Sequence, residues 1–258
     1  AEGALTEVHS MLQRMNELAV QAANGTNSED DRNAIQDEID QLLTEIDRVA
    51  ETTKFNESYL LKGDANGATA ALTLNPHDAG IKGAWEVAED GSKATLTVDL
   101  SNGTKINIAG TEYTVTTAAT AGDGEIKQAD AVTKITAELN KANAIGTGSD
   151  TVAAVTAPTA ADSTAFVINA QQVEVVKPLG FSLHVGADAD MTNKIGVTIN
   201  GMDSASLGIK GLNVKDDSGI AATYAIDAIA EAVQRVSDQR STLGAVQNRL
   251  EHTIANLD

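Results

Sequence analysis

The chain contains no cysteine. That excludes disulfides, thiolate metal sites and a cysteine nucleophile. Aromatic residues make up only 3% of its 258 residues, and Trp85 is the sole tryptophan. A single bulky core is therefore not expected. Thin layers or bundles of Ala, Val, Ile and Leu suit this composition better. Positive charge is short as well: 18 Lys and Arg stand against 37 Asp and Glu, a formal net charge of −19. Such a chain lacks the basic footprint that nucleic acid requires. Anionic membrane surfaces would repel it. The same charge favours solubility and repulsion between free copies. No run of ~20 apolar residues exists, so no transmembrane helix is expected. No secretory signal peptide opens the sequence.

Catalytic signatures are missing too. The histidines His9, His77, His184 and His252 include no H-E-x-x-H pair, which a zinc-protease helix needs. His9 and His252 would fall near one end of an antiparallel bundle, yet two histidines alone do not argue for a metal. Asp188-Ala189-Asp190 opens like a calcium loop, but Asn193 and Ile199 stand where glycine and glutamate are required. A solvated hairpin turn is the simpler reading. No glycine-rich phosphate loop and no nucleophile elbow is present. No cofactor is expected, and the chain does not read as an enzyme.

What the sequence does carry is helical repeats at its two ends. Leu5, Val8, Met11, Leu12, Met15, Leu18, Ala19 and Ala22 recur at helical spacing. They predict a helix from Ala4 to Ala23, stopped by Asn24-Gly25. Ser28 then caps a second helix, with Asp31 three residues on as a weak capping box. Ile35, Ile39, Leu42, Ile46 and Val49 alternate by four and three, a seam for another helix. The last helix is predicted from near Ser218 to the end. Its seam is Ile226, Ile229, Val233, Val236, Arg240, Leu243, Gln247, Leu250, Ile254 and Leu257. A helix of that length spans about 55–60 Å. The repeats start almost at Ala1 and run to Leu257-Asp258 without a C-cap, so both ends are expected to be cuts through longer helices.

Between these ends the pattern changes. Phe55 to Gly63 is a connector. Thr95–Leu100, Lys105–Ile108 and Glu112–Thr117 read as strands, with Asn102-Gly103 as a hairpin signal. Ala129–Ala142 reads as a short helix with Val132, Ile135 and Leu139 inward. Gly146 to Ser163 is loop-rich, and Ala165–Ile168 and Val173–Val176 are further strands. After Pro178, Phe181–Val185 and Ile195–Ile199 form a hairpin that belongs with the terminal helices. The fold class is α+β: an antiparallel helical rod from residues 1–64 and 180–258, carrying an inserted, mainly-β domain at 65–179.

One stripe on the first helix stands beside its apolar arc. Leu18 falls about 60–70° from the arc centre, at the rim, with Arg14 and Gln21 just outside it on the same side. Glu38 lies about 80° off the centre of its own seam. An apolar anchor next to an arginine is the usual make-up of a contact hot spot. A core rim residue with two solvated neighbours is the bland alternative.

Several segments resemble bacterial flagellin. They are Leu12–Gln21 followed by Asn24-Gly25-Thr26, Ile35-Gln36-Asp37-Glu38-Ile39, Thr44-Glu45-Ile46-Asp47-Arg48, Phe55-Asn56, Ser204-Ala205-Ser206-Leu207-Gly208, and Leu243–Leu250. They occur in the family's order and cover about 1–63 and 180–258. Ile106 to Gly110 with Tyr113-Thr114-Val115 is similar to a short motif of flagellin insertions. The resemblance implies an extracellular subunit of the flagellar filament that packs against other flagellin subunits and serves motility. It also implies export without a cleaved signal peptide, with an export chaperone as a further partner. The family's extreme terminal helices would lie outside these residues. The family's rod is recognised by the innate immune Toll-like receptor 5, and motif alignment carries that contact onto Arg14, Leu18 and Glu38, with Gln13 and Gln21 alongside. Two rivals stand: a hook–filament junction protein of the same rod class, and an unrelated coiled-coil surface adhesin.

Overall fold

The structure is a computed structural model and describes residues 2–73, 77–89, 93–145, 155–158, 164–169, 171–184, 194–216 and 218–257. Helices α1 (Glu2–Ala23) and α2 (Glu29–Thr52) lead into a tight ribbon, β1 (Lys54–Phe55) and β2 (Ser58–Tyr59). The middle holds β3 (Asp64–Thr73), β4 (Ala84–Val87), β5 (Lys93–Thr97), β6 (Lys105–Ile108), β7 (Thr111–Thr116) and β8 (Glu125–Lys127). Helix α3 (Gln128–Ala144), β9 (Val155–Thr156), β10 (Ala165–Asn169) and β11 (Gln171–Lys177) complete it. The chain returns through β12 (Leu179–His184), β13 (Lys194–Ile199), the one-turn α4 (Ser204–Leu207) and α5 (Ile220–Leu257).

The helix ends follow from side-chain chemistry. Asn24 closes α1 by donating from Nδ2 to Val20 O, 3.1 Å away. The stop is the one expected, but an asparagine amide makes it rather than a left-handed glycine. At the start of α2, Asp31 N donates to Ser28 Oγ (3.2 Å) and Ser28 N donates to Asp31 Oδ2 (3.1 Å), a full capping box. The Ser28 bonds hold the Asp31 carboxyl below its usual pKa. The short turn between them makes α1 and α2 antiparallel. Helix α5 is antiparallel to α1 as well: Gly219 packs so closely on the Ala23 carbonyl that an added Cβ would sit 2.8 Å from it.

Helix α5 buries a different stripe from the one read in the sequence. Ala222, Ala225, Ile229, Ala232, Val236 and Gln239 are buried, whereas Ile226, Val233 and Arg240 are only partly so. Ile229 and Val236 belong to both registers. Ala225, Ala232 and Gln239 are each one residue earlier than expected. Small alanines on the true stripe let α1 approach closely, and the larger Ile226 and Val233 lie beside it, partly covered. Gln247, expected within it, is exposed and donates to Glu251 Oε1 at 3.0 Å. Gln247→Leu is thus expected to change stability by less than ~0.5 kcal/mol. A melting curve shifted upward would contradict the observed register.

The β12–β13 hairpin pairs Leu179 with Ile199 through His184 with Lys194. Ile195, Val197 and Ile199 point inward. Gln239 pins the hairpin's end: its Nε2 donates to Thr198 O (3.1 Å) and its Oε1 accepts from Asn200 N (3.1 Å). The loop joining these strands, with Asp188-Ala189-Asp190, lies outside the described residues.

In the middle, strand order is β4-β5-β10-β9, with β6-β7-β8 and β11-β3 as separate sheets. The predicted strand Thr95–Leu100 begins and ends earlier, at Lys93–Thr97. Beyond it, Asp99 Oδ1 takes the Ser101 amide at 2.9 Å and bends the chain out of the ladder. Asn102-Gly103 turns the chain from one sheet into the next and closes no hairpin between them. The hairpin is β6–β7, whose two-residue loop Ala109-Gly110 has φ of 52° and 80°. That pair of positive φ values is a type I′ turn. Helix α3 buries Ala131, Ile135, Leu139 and Ala142, while Val132 is only partly covered.

A polar clasp joins this middle region to α5. Tyr224 OH donates to Glu138 Oε2 at 2.9 Å, and Lys141 holds the other oxygen at 3.0 Å. His77 stacks obliquely on Tyr224, with centroids 5.2 Å apart. Its Nδ1 accepts from Ala79 N (3.0 Å), which places the neutral ring's proton on Nε2. That nitrogen lies 3.0 Å from Asp227 Oδ2, close in distance but not aligned as a hydrogen bond. Asn143 brackets the His77 backbone, giving Nδ2 to its carbonyl (3.0 Å) and accepting its amide (3.2 Å). Burial, then the Glu138 bond, pushes the Tyr224 phenol well above its usual pKa. A raised folded-state pKa means the unfolded chain ionises first, so this tyrosine erodes stability once pH passes ~10. Tyr224→Phe should flatten that alkaline fall while lowering stability on the order of 1 kcal/mol at neutral pH. Parallel melting curves across the alkaline range would refute it.

Candidate functional site

Around α1 the chemistry is set by which partner covers each face. Helices α5 and α2 both pack on it, so its buried arc is wider than a single partner would give. Leu5, Val8, Leu12, Met15, Ala19 and Ala22 are buried, and Leu18 with them at 2% exposure. Leu18, placed at the rim of the apolar arc by its spacing, is therefore a core residue. It lies within the arc that α2 and α5 together cover.

Arg14, one turn earlier, is exposed at the α1–α2 boundary. Its Nε donates to Glu38 Oε1 at 2.8 Å and its Nη1 donates to Glu17 Oε2 at 3.2 Å. The Glu38 bond, then the Glu17 bond, raises the guanidinium's pKa above its usual value. The three side chains remain 49%, 43% and 69% exposed. Salt weakens such a pair, but its geometry presents a planar donor ready to exchange carboxylates. Gln21 is exposed on the Arg14 side. Gln13 is exposed too, but turns toward α5, where it lines a cleft of about 550 Å³ with Asn16, Glu17, Ala230 and Val233. Of the five residues singled out, Arg14 and Glu38 touch each other, Gln21 flanks them, Gln13 faces another way, and Leu18 supports from beneath.

Three polar residues with structural duties were missed. Gln36 is 5% exposed and clamps the loop after α4. Gln239 pins the hairpin as described. Asp47 ties α2 to the first residue of α4, accepting from Ser204 N (2.6 Å) and Ser204 Oγ (2.9 Å), while Asp203 is the helix's own N-cap. A polar residue standing in a helical apolar stripe was the available signal for both glutamines. Nothing in the local sequence marks Asp47.

Among the described residues no group of three His, Asp or Glu is placed to hold a metal. His9 and His252 do not meet: with Gly219 beside Ala23, they lie about 28 Å apart along the rod. Among the described residues no helix is long and apolar enough to cross a membrane.

Comparison with known proteins places these elements in a family. The family model for the bacterial flagellin N-terminal helical region matches residues 1–66, and that for the C-terminal helical region matches residues 226–258. Flagellin of Clostridium tyrobutyricum is 37% identical over an alignment spanning 100% of this chain and 67% of its own length. Flagellin B of Vibrio anguillarum is 31% identical, over 100% of this chain and 65% of its length. Bacillus cereus flagellin, a crystal structure, aligns at 20% identity with a TM-score of 0.46, covering 99% of this chain and 80% of that one. The chain thus spans about two-thirds of the length of these curated relatives.

Proposed function

The chain belongs to the bacterial flagellin family, and from that premise we propose that it is a structural subunit of the flagellar filament, working outside the cell in motility. The observation that carries this is the rod: the two matched terminal regions, far apart in sequence, pack as antiparallel helices α1 and α5. Residues 1–64 and 180–258 form that rod, and 65–179 is an inserted domain carried on it. Other flagellin subunits are its partners. Export without a cleaved signal peptide, assisted by a chaperone, fits an extracellular filament protein. The relatives' printed identity as flagellins favours this over a hook–filament junction protein or an adhesin.

The test is seeded assembly. The whole protein should elongate flagellar seeds into long filaments, and failure to elongate them would overturn the proposal. Residues 1–258 alone should sediment as a monomer at neutral pH, because a net charge of −19 opposes association. Limited proteolysis should trim 65–179 before it separates α1 from α5.

A second function rests on the α1–α2 boundary. The rod is a ligand of Toll-like receptor 5, with Arg14, Glu38, Gln21 and Gln13 at its surface and Leu18 holding α1 in place beneath them. What supports this is the pairing of Arg14 with Glu38 across two helices, which gives a fixed, exposed donor–acceptor patch.

A further inference from the structure

An asparagine followed by glycine can close on itself, because no Cβ shields the glycine amide. The chain holds four such pairs: Asn24-Gly25, Asn66-Gly67, Asn102-Gly103 and Asn200-Gly201. In each the glycine nitrogen is the nucleophile and the asparagine Cγ is its target. Folding decides which pair reacts, since hydrogen bonds occupy the one and restrain the other.

Three of the pairs are held. Gly103 N donates to Val115 O at 2.8 Å, and Asn102 Oδ1 accepts from Thr117 N at 3.0 Å. Gly201 is buried, and the amides on either side of it are fixed: Asn200 N donates to Gln239 Oε1 (3.1 Å) and Met202 N to Leu61 O (2.9 Å). Asn66-Gly67 lies inside β3, a strand paired with β11. Asn24-Gly25 is different. Both residues are exposed, in the turn after α1. Among the described residues Gly25 N donates to no acceptor and Asn24 Oδ1 accepts from no donor. The side chain is held by one bond, Nδ2 to Val20 O at 3.1 Å, and Nδ2 is the atom that leaves. A Cβ added at Gly25 would meet nothing within 4 Å, so the space around the attack is open.

We infer that Asn24-Gly25 is a self-modifying site, where hydrolytic deamidation unfastens the end of α1. Gly25 N gives its proton to solvent base and bonds to Asn24 Cγ. The Cγ–Nδ2 bond breaks, and Nδ2 departs as ammonia, leaving a five-membered succinimide. Water then opens one of the two ring carbonyls. One route yields aspartate, the other isoaspartate, which carries an extra methylene in the main chain. The steps need water alone as co-reactant.

Both products undo what Asn24 does. The amide that donates to Val20 O becomes a carboxylate, which cannot donate and faces the negative end of the α1 dipole. The turn is tied on both sides. Asn24 N donates to Gln21 O at 3.2 Å, Asn27 Nδ2 donates to Asn24 O at 2.9 Å, and Asn27 O accepts from Arg32 Nη1 of α2 at 2.8 Å. Isoaspartate lengthens the chain at the point where α1 hands over to α2.

For the test, the folded chain is held at mildly alkaline pH, digested, and read peptide by peptide for the one-unit mass gain and for isoaspartate. Residue 24 should convert about tenfold or more faster than 102 or 200, whose hydrogen bonds must open first. In urea the ranking should vanish, because all four pairs are the same dipeptide. Gly25→Ala keeps the Asn24 amide and adds no clash, yet its Cβ restricts the backbone and should slow conversion at 24 about tenfold or more. The converted chain and Asn24→Asp should both melt about 2–4 °C below the fresh chain. Conversion at 66, 102 or 200 ahead of 24, a ranking that survives urea, or an unchanged rate in Gly25→Ala overturns the site. Conversion at 24 with an unmoved melting curve overturns the unfastening of α1. If Gly25→Ala does not fold, the ranking and its loss in urea decide.

Discussion

Gln36→Leu is expected to destabilise the rod by about 2–5 kcal/mol, although leucine is close to glutamine in size and suits the helix. The reason is what Gln36 holds. Its Nε2 donates to Leu212 O and its Oε1 accepts from Val214 N, both at 2.8 Å and buried. The same Nε2 also bonds Asp40 Oδ1 at 2.8 Å. Leucine would leave a backbone carbonyl and a backbone amide without partners, in a loop whose Ile209, Leu212 and Val214 are themselves buried. Each orphaned group costs about 1–3 kcal/mol. Water cannot repair the loss unless the loop opens, which would expose those three apolar side chains. Thermal or urea unfolding of the variant measures the effect. A shift below ~0.5 kcal/mol would mean the loop finds other partners.

The same glutamine shows what the sequence made legible and what it did not. Periodicity located α1, α2, α3 and α5 because each buries one stripe against a partner, and burial leaves a spacing. It located β13 for the same reason, since alternate residues of that strand are buried, and β12 as its hairpin partner. On α5 it points to the neighbouring stripe, because hydrophobic size does not mark burial where two helices approach closely. In the structure the close partner selects alanine, as at Ala222, Ala225 and Ala232. Polar clamps were harder. Gln36 and Gln239 each satisfy a backbone pair at least 39 residues away, so a polar residue within an apolar stripe marks the clamp but does not name its partner. The insertion's strands were partly found, but their pairing depends on turn geometry. Asn102-Gly103 looked like a hairpin turn, while Ala109-Gly110 adopts one with a non-glycine residue at positive φ. At the candidate surface, motif resemblance singled out Arg14, Leu18 and Glu38. Only geometry separated the exposed pair from the buried leucine, since one helix read alone does not reveal that two neighbours flank it.

That separation gives the last prediction its shape: Arg14→Ala and Leu18→Ala should fail in different ways. Leu18 is 2% exposed, so truncation leaves a cavity between α1 and α2, at a cost of about 2–5 kcal/mol. Its melting temperature should drop plainly. Among the described residues Arg14 is bonded only to Glu17 and Glu38, all at the surface. Removing it should leave the melting curve almost unmoved, because exposed ion pairs contribute little to folding. If the α1–α2 boundary is the receptor epitope, Arg14→Ala should nevertheless weaken binding to a Toll-like receptor 5 ectodomain about tenfold or more. The guanidinium can pass from Glu38 to a partner acceptor without disturbing the core, so its loss is felt in binding alone. Leu18→Met keeps the volume and should restore both stability and binding, because the leucine acts by placing α1 and not by touching the receptor. Affinity and melting temperature are measured together for each variant. Unchanged affinity for Arg14→Ala would remove the α1–α2 boundary as the epitope. Loss of affinity in Leu18→Met with its melting temperature intact would mean that Leu18 itself meets the partner, after a local opening that this packing does not provide.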